Sequence, residues 1–215
     1  MIVLKTVIYI VRHSESFKNF YDNYNVLESA QIINEKNPLS VNGEKKALKL
    51  SGCSELQDID IVYSSHYVRA MSTAKYIAEC NNLKLNVDFR LGERRFGVKN
   101  MSKLPVNFCF RQLEDWDYKI LGGESLKQVS RRMRNVFMEI LKRNLGSRIV
   151  IVSHSTAITT LFDNWCDIRI NYATELAEIR YGNKLIFDGN WSAPELFKLE
   201  FDDLSLTSIC NIKVE

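Results

Sequence analysis

Three short apolar runs, each rich in Val and Ile, stand out along the chain. They cover residues 6–11, 59–63 and 148–152. A strand in a parallel sheet is covered by helices on both faces, so it lacks the alternation of apolar and polar residues found in half-exposed strands. The three runs therefore predict strands that are buried on both faces of a sheet.

Apolar residues at helical spacing follow these runs. The pattern is strongest over residues 125–144, where one stripe consists of Leu126, Val129, Met133, Val136, Phe137, Ile140 and Leu141. Such a stripe predicts an amphipathic helix packed on a core, with a solvated face that carries Arg131, Arg132 and Arg134. A second helix is predicted over residues 67–79.

A shorter helix is predicted after Pro38, with Ser40 as its N-cap and Ala47, Leu48 and Leu50 facing inward. From residue 171 onward the sequence is β-rich, with strands predicted at 185–187 and 196–201. This segment either completes the sheet or offers an edge for dimerisation.

The alternation of strands and helices predicts an α/β fold. We expect a three-layer α/β/α arrangement in which helices flank a mostly parallel central sheet. Residues 94–121 are the least regular stretch and are predicted to form an excursion over the active site at one end of the domain. The aromatic residues of this stretch fit a satellite core or a pocket lid equally well; they are Phe96, Phe108, Phe110, Trp116 and Tyr118.

Composition narrows the classes of protein that fit. The 215 residues are 46% hydrophobic and 26% charged, which is ordinary for a globular chain and predicts a single domain over 1–215. The net charge of +3 gives no electrostatic case for nucleic acid as a partner. No run is long and apolar enough for a membrane helix, and the N-terminus lacks a signal-peptide pattern. Five scattered cysteines predict reduced thiols in a cytoplasmic protein.

The chain has three histidines, and each follows directly on a strand-like run: His13, His66 and His154. Ligands of open α/β sheets bind beyond the carboxyl ends of strands, where these imidazoles can converge. Arg12 and Arg69 add fixed positive charge, which repels a metal ion and attracts an anion. Guanidinium groups match phosphate oxygens, and a neutral imidazole beside them can attack phosphorus. We therefore expect a phosphate site with no metal and no cofactor.

Five blocks in order resemble the histidine phosphatase superfamily, also called the phosphoglycerate mutase-like family. They are Arg12-His13-Ser14-Glu15-Ser16 with Asn19; Pro38-Leu39-Ser40 with Gly43 and Ala47; Tyr63-Ser64-Ser65 with Arg69, Ala70, Thr73 and Ala74; Leu91-Gly92-Glu93-Arg94-Arg95-Phe96-Gly97; and Gly122-Gly123-Glu124-Ser125 followed by Val152-Ser153-His154. One block alone is weak, whereas five in the right order are specific. The resemblance implies a phosphoglycerate mutase-like fold.

The resemblance also implies a role for each matching residue. His13 would attack the phosphoryl group and become a phosphohistidine. Glu93 would protonate the leaving oxygen and then activate the water that hydrolyses the intermediate. The phosphoryl oxygens would be bound by Arg12, Arg69, His154 and Asn19.

Other residues near the blocks are assigned from their chemistry. Arg94 and Arg95 fit a second anionic group of the substrate, whereas the aromatic residues of 94–121 fit a leaving group with apolar bulk. Two carboxylates rival Glu93: Glu15 is expected to support the loop after His13, and Glu124 to cap a helix. His66 is expected to be a bystander or to lie at the pocket rim. Ser14, in place of the family's common glycine, is expected to narrow the site.

The resulting hypothesis is a metal-independent phosphomonoesterase of the histidine acid type that hydrolyses a small phosphorylated metabolite. One alternative is phosphoglycerate mutase-type transfer, which the short 94–121 segment disfavours because mutases of the family carry a longer insertion that excludes water. A second alternative is a phosphatase-like binding module with little turnover, which the carboxylate at Glu93 disfavours. The sequence leaves a monomer and a homodimer equally open.

Overall fold

The computed structural model describes residues 3–18 and 28–213. Its strands are β1 (Lys5–Arg12), β2 (Ile61–Ser64), β3 (Leu85–Val87), β4 (Arg148–Ser153), β5 (Asp167–Asn171), β6 (Leu176–Tyr181), β7 (Lys184–Phe187), β8 (Glu195–Asp202) and β9 (Ser205–Ile212). Its α-helices are α1 (Ala30–Lys36), α2 (Val41–Ser51), α3 (Val68–Cys80), α4 (Phe108–Glu114), α5 (Leu126–Arg143) and α6 (Ser155–Phe162).

A six-stranded sheet forms the centre, in the order β3-β2-β4-β1-β8-β9. The first four strands in that order run parallel, and β8 and β9 continue the sheet antiparallel on the other side of β1. The three apolar runs of the sequence are β1, β2 and β4. The structure confirms the α/β prediction, with a sheet that is mixed because the C-terminal segment completes it.

Alternate residues of the central strands enter two separate cores. Ile8 and Ile151 pack with residues of α5 and α6 on one face of the sheet. Tyr9 and Val152 pack on the other face with residues of α3. Because both faces are covered, the strands show no alternation of polar residues. This packing gives the three predicted layers.

The two helix caps expected from the sequence, Ser40 and Glu124, differ in outcome. Ser40 caps α2 as predicted, since its side chain accepts a hydrogen bond from Gly43 N. At the start of α5 the cap is Ser125, which forms a reciprocal capping box with Gln128. The prediction that Glu124 caps this helix is therefore wrong. Leu48 was also expected to face inward, but it is 59% exposed because it falls on the outer face of α2.

A second, three-stranded antiparallel sheet of β5, β6 and β7 is the main feature that the sequence did not predict. Its strands are half-exposed, and Ile179 and Phe187 join the core that α6 covers. Residues 94–121 contain α4 and a small satellite core in which the Phe108 ring lies 6.1 Å from Phe96 and 5.6 Å from Tyr118. Over the described part of the chain, no helix is long and apolar enough to cross a membrane.

Candidate active site

The carboxyl ends of β1 and β4 bring the two buried histidines together. His13 follows the last residue of β1, and His154 follows β4, so their rings lie with centroids 5.0 Å apart. Arg12 ends β1, and Arg69 lies in the first turn of α3, which follows β2. Four residues predicted from the sequence therefore converge at one end of the sheet, as the rule for open α/β sheets requires.

His13 is held in one tautomer. Its Nδ1 lies 2.7 Å from the carbonyl oxygen of Ser14, which can only accept, so Nδ1 carries the proton. Its Nε2 therefore has a free electron pair, which accepts a 3.0 Å hydrogen bond from Arg69 Nε. Burial, followed by the charges of Arg69 and Arg12, lowers the pKa of His13 well below its usual value. The ring is thus a neutral nucleophile in a cationic site.

Arg69 also contacts His154. Its Nη2 lies 3.4 Å from His154 Nδ1, and His154 Nε2 lies 2.8 Å from Ser65 Oγ. Burial is the largest cause that lowers the pKa of His154 well below its usual value, and the charge of Arg69 is the next. The Arg69 guanidinium therefore contacts both imidazoles. Burial, together with the charge of Arg69, favours the neutral form of each ring.

Arg12 is held by backbone carbonyl groups of the segment that precedes β8. Its Nη1 donates to the carbonyl oxygens of Trp191 and Ser192, at 3.1 and 2.8 Å. The turn that carries these carbonyls is tied down by Glu195, a carboxylate only 3% exposed that accepts from Ser192 N at 2.8 Å. Burial lowers the pKa of Arg12, and nearby Glu93 opposes that effect.

Glu93 lies on irregular backbone, and the N-terminus of α6 orients its carboxylate. The carboxylate oxygens accept from the backbone N–H groups of Arg94 at 2.9 Å and of Thr156 and Ala157 at 3.2 Å. Thr156 and Ala157 come directly after His154 and Ser155 in the chain. The same turn therefore positions the second histidine and the carboxylate.

The loop after His13 is anchored to α2. Glu15 accepts hydrogen bonds from Ser40 and from Lys46, both at 2.8 Å, and its pKa is lowered to about 2, chiefly by the bond from Lys46. This placement matches the supporting position expected for Glu15. Ser14 Oγ donates to the carbonyl of Gly43 at 2.7 Å. The hydroxyl is thus directed at α2, and the expectation that Ser14 narrows the site is wrong.

Two predicted residues lie away from the histidine pair. Asn19 falls outside the described residues. His66 stacks on Phe89 with centroids 4.4 Å apart, and its Nε2 lies 3.3 Å from a carboxylate oxygen of Glu35. His66 therefore lies at the rim of a cavity beside Glu93, which is one of the two positions expected for it.

One cavity is lined by Glu93, and a second is lined by its neighbour Arg94. Cavity A, about 270 Å³, is lined by Gln31, Glu35, His66, Tyr67, Phe89, Arg90, Gly92, Glu93, Arg95, Glu124 and Arg132. Cavity B, about 240 Å³, is lined by Arg94, Cys109, Leu113, Leu126, Ser155, Thr156, Thr159, Thr160, Glu175, Leu176, Ala177, Gly189 and Trp191. Cavity A is strongly charged, whereas cavity B combines hydroxyl and apolar groups with Arg94.

Arg94 and Arg95 therefore serve different cavities. Arg94 is 8% exposed and donates to Thr156 Oγ1 and to Cys109 Sγ, while its buried Nε has no hydrogen-bond partner among the described residues. The side chain of Arg95 is 61% exposed and lies 3.8 Å from Glu124. The single second-anion site expected from adjacent arginines is thus divided between two surfaces.

Arg132 was predicted to lie on the solvated face of α5, and this prediction is wrong. Arg131 and Arg134 are exposed as expected, but Arg132 forms a two-bond ion pair with the buried Glu124, at 2.8 and 3.1 Å. Glu124 lies just before the N-cap of α5 and Arg132 lies eight residues further on. No local pattern in the sequence signals this pair.

Two glycines let the main chain after Glu93 cross the chain before α5. A Cβ on Gly97 would lie 2.5 Å from Gly123 N, and a Cβ on Gly123 would lie 2.8 Å from Phe96 O. Gly97 also has a φ of +81°, which favours glycine. These contacts explain why glycines occur in both blocks of the sequence.

Over residues 3–18 and 28–213, no group of three or more His, Cys, Asp or Glu side chains is arranged to hold a metal ion. The fixed cations beside His13 are Arg12 and Arg69, and they make the site electrostatically suited to an anion.

Residues 8–183 match the family model of the histidine phosphatase superfamily (branch 1). The chain belongs to this superfamily, which confirms the resemblance. It is 30% identical over 160 residues to phosphoserine phosphatase 1 of Hydrogenobacter thermophilus, covering 71% of this chain and 72% of that protein. It is 29% identical over 163 residues to the probable phosphoglycerate mutase GpmB of Salmonella typhi, covering 72% of each.

Solved structures share the fold. The native mycobacterial glucosyl-3-phosphoglycerate phosphatase has a TM-score of 0.67 at 18% identity, with 96% of this chain and 97% of that chain covered. The phosphoserine phosphatase of Entamoeba histolytica, a mutant in complex with phosphoserine, has a TM-score of 0.64 at 19% identity, with 95% and 96% covered. These two likenesses show the same overall architecture.

Proposed function

We propose that this protein is a metal-independent phosphomonoesterase of the histidine acid type, which hydrolyses a small phosphorylated metabolite through a phosphohistidine on His13. The observation that carries the proposal is the state of that ring. Its proton is held on Nδ1 by Ser14 O, so its Nε2 electron pair faces Arg69 in a buried, cationic site. Family membership and the relative named phosphoserine phosphatase 1 support the same reaction.

In the first step, His13 Nε2 forms a bond to phosphorus as the bond from phosphorus to the ester oxygen breaks. Arg12, Arg69 and His154 stabilise the charge on the equatorial oxygens, which is the main requirement of phosphoryl transfer. Neutral His154 can donate to a phosphoryl oxygen from Nδ1–H when its Nε2 accepts from Ser65 Oγ.

Glu93 completes the proton transfers. A phosphate ester that binds as its monoanion brings a proton into the site; Glu93 relays that proton to the leaving oxygen and becomes a carboxylate. In the second step water attacks phosphorus, its proton passes to Glu93, and the bond between phosphorus and Nε2 breaks. Phosphate leaves as its monoanion with the proton that Glu93 took from water, so Glu93 returns to the carboxylate and His13 to its neutral state.

The direct test is phosphate release from p-nitrophenyl phosphate in excess EDTA, comparing the wild type with His13→Ala. Activity that survives EDTA and disappears in the variant supports the proposal. Activity abolished by EDTA would contradict the metal-independent mechanism. Absence of activity in both proteins would favour the binding module.

Transfer between hydroxyl groups is the second candidate, because one relative is named a probable phosphoglycerate mutase. Incubation with 3-phosphoglycerate distinguishes the two reactions. We expect phosphate release to exceed formation of 2-phosphoglycerate. The opposite ratio would make the protein a mutase.

The leaving group would carry a second anionic group or apolar bulk near Glu93. Arg94 is placed to bind an anion in cavity B, beside the apolar side chains of Leu113 and Trp191, and Arg95 is placed to bind one in cavity A. Arg94→Gln and Arg95→Gln, assayed on the same panel of phosphorylated metabolites, test the two positions. A rise in KM in one variant only would identify the cavity that binds the leaving group, and no change in either would contradict both assignments.

We place the protein in the cytoplasm as a monomer or homodimer. All five cysteines are free thiols, which suits a reducing compartment. Cell fractionation and sedimentation of the purified protein test these two assignments.

A further inference from the structure

The backbone that carries Glu93 has no regular secondary structure to hold it. Residues 93–98 belong to neither a helix nor a strand. The α6 N–H groups fix the carboxylate, but proton transfer needs a donor placed within a fraction of an ångström. The main chain of this segment therefore requires a separate anchor.

Arg132 of α5 is that anchor, and it uses every N–H of its guanidinium. Nη1 donates to the carbonyl oxygens of Arg90 and Gly92, both at 2.8 Å, and Nη2 donates to the carbonyl of Glu93 at 3.0 Å. The remaining donors bind both carboxylate oxygens of Glu124. A planar arginine fork fully occupied in this way has one orientation.

Glu124 fixes the chain on the other side of Glu93. Its carboxylate accepts from Arg95 N at 3.0 Å, and its own N–H donates to Arg95 O at 2.9 Å. Glu124 is only 7% exposed. Burial alone would raise its pKa, but the hydrogen bonds and charge of Arg132 bring it below the usual value.

A buried ion pair adds little net stability compared with apolar residues of the same size. The bonds of this pair are directed at residues 90–95, which are the residues on either side of Glu93. We propose that Glu124 and Arg132, here named the Glu124–Arg132 clamp, are positioning residues that hold Glu93 in place for proton transfer to the leaving oxygen. The inference rests on the phosphatase function proposed above.

The clamp predicts a loss of activity that depends on the leaving group. An alkoxide must be protonated as it leaves, whereas p-nitrophenolate leaves without a proton. The value of kcat/KM covers only the steps up to loss of the leaving group, before water attacks the phosphohistidine. A displaced Glu93 should therefore lower kcat/KM for an alkyl phosphate and have little effect on kcat/KM for p-nitrophenyl phosphate. General damage to the fold would slow both reactions together.

The experiment compares Arg132→Lys with Arg134→Lys, an exposed position on the same helix, using β-glycerol phosphate and p-nitrophenyl phosphate. We expect kcat/KM for the alkyl ester to fall about 100-fold in Arg132→Lys, with little change in kcat/KM for the aryl ester and none for either ester in Arg134→Lys. Glu93→Gln should show the same selectivity, and adding Arg132→Lys to it should cause no further loss. Equal loss on both esters, or full additivity, would overturn the proposal.

A second variant and a hydrogen-exchange measurement complete the experiment. Glu124→Gln keeps the size of the side chain but removes the charge that binds Arg132. If Arg132→Lys does not fold, this variant can be compared on the same two esters. Hydrogen exchange at the N–H groups of Thr156 and Ala157, which donate to the Glu93 carboxylate, requires no turnover. Faster exchange in Arg132→Lys than in Arg134→Lys supports the clamp, and equal exchange contradicts it. A wild type without His13-dependent activity would refute only the proposed function.

Discussion

The candidate active site has two halves that are held by different means. The sheet half consists of Arg12, His13, Arg69 and His154, which lie at strand ends and in the first turn of a helix. The loop half is Glu93, on irregular chain held by side-chain hydrogen bonds and close-packed glycines. Backbone hydrogen bonding of β1 with β4 and β8 fixes the first half. The second half is fixed by the Glu124–Arg132 clamp, by the N–H groups of α6 and by the close-packed glycines.

This difference separates phosphate binding from proton transfer. The groups that we propose to stabilise phosphoryl charge are carried by the most buried elements of the fold, so they should move little when a surface residue changes. Glu93 depends on the Glu124–Arg132 clamp and on two glycines, so substitutions far from the phosphate can displace it. Substitutions in the two halves should therefore change the kinetics on alkyl and aryl esters in different ways.

The largest effect is expected in the sheet half. Arg69→Lys removes the fork that contacts both His13 and His154, so kcat/KM should fall about 100- to 1,000-fold for aryl and alkyl phosphates alike. Steady-state kinetics on both esters measure the change, with Lys75→Arg on the exposed side of α3 as the control. A loss confined to alkyl esters would contradict the division between the halves.

A smaller and selective effect is expected in the loop half. Gly123→Ala places a Cβ about 2.8 Å from Phe96 O, which forces the two chains apart and shifts Glu93. The value of kcat/KM for alkyl phosphates should fall roughly 10-fold, while kcat/KM for p-nitrophenyl phosphate is unchanged. Gly52→Ala, where the nearest atom is 3.5 Å away, is the matched control. Parallel losses on both esters would show that the glycine supports the whole site.

Acid should lower the free energy of unfolding through the two buried histidines of the sheet half. The folded pKa values of His13 and His154 lie below 6.5, chiefly because of burial, so below the unfolded value the unfolded chain binds protons that the folded chain does not. The free energy of unfolding should fall by up to about 1.4 kcal/mol per pH unit for each histidine, and kcat/KM should hold until the lowered pKa of His13 is reached.

Urea unfolding of the wild type and His13→Asn between about pH 5.5 and 7.5 measures this dependence. Carboxylates are ionised in both states over that range, so they contribute little to the slope. The variant should lose about half of the dependence. An identical slope in both proteins would mean that His13 does not titrate as the structure indicates.

The smallest effect is expected at Glu195, which acts on Arg12 through the turn at Trp191 and Ser192. Glu195→Gln keeps the shape of the side chain but removes its charge. The inhibition constant for inorganic phosphate should rise a few-fold, on the order of one charge-assisted hydrogen bond. Glu200→Gln, on the same strand, is the control. A change in leaving-group selectivity would assign Glu195 to the loop half instead.

The sequence predicted the sheet half well because its signals are local. A buried strand followed at once by a histidine, as at His13 and His154, specifies both the element and the place of the side chain. The stripe of α5 and the cap of α2 have the same local character, and all of these were found.

The loop half was harder because its determinants are distant in sequence. Arg132 belongs to the solvent-facing pattern of α5 and turns inward only because carbonyls of residues 90–93 need donors. The strands β5 and β6 were missed for a related reason. Their residues are half-exposed, and their pairing depends on a turn rather than on a long apolar run.

The walls of cavity B have a consequence for how the specificity of such a protein can change. Part of the lining comes from α4 and from residues 175–177, in the turn before β6 and at its start, and neither belongs to the six-stranded sheet. Exposed loops tolerate substitution far better than packed strands. Mutational libraries at Cys109, Leu113, Glu175 and Ala177 can therefore remodel substrate choice, under natural or laboratory selection, while the phosphate-binding machinery stays intact.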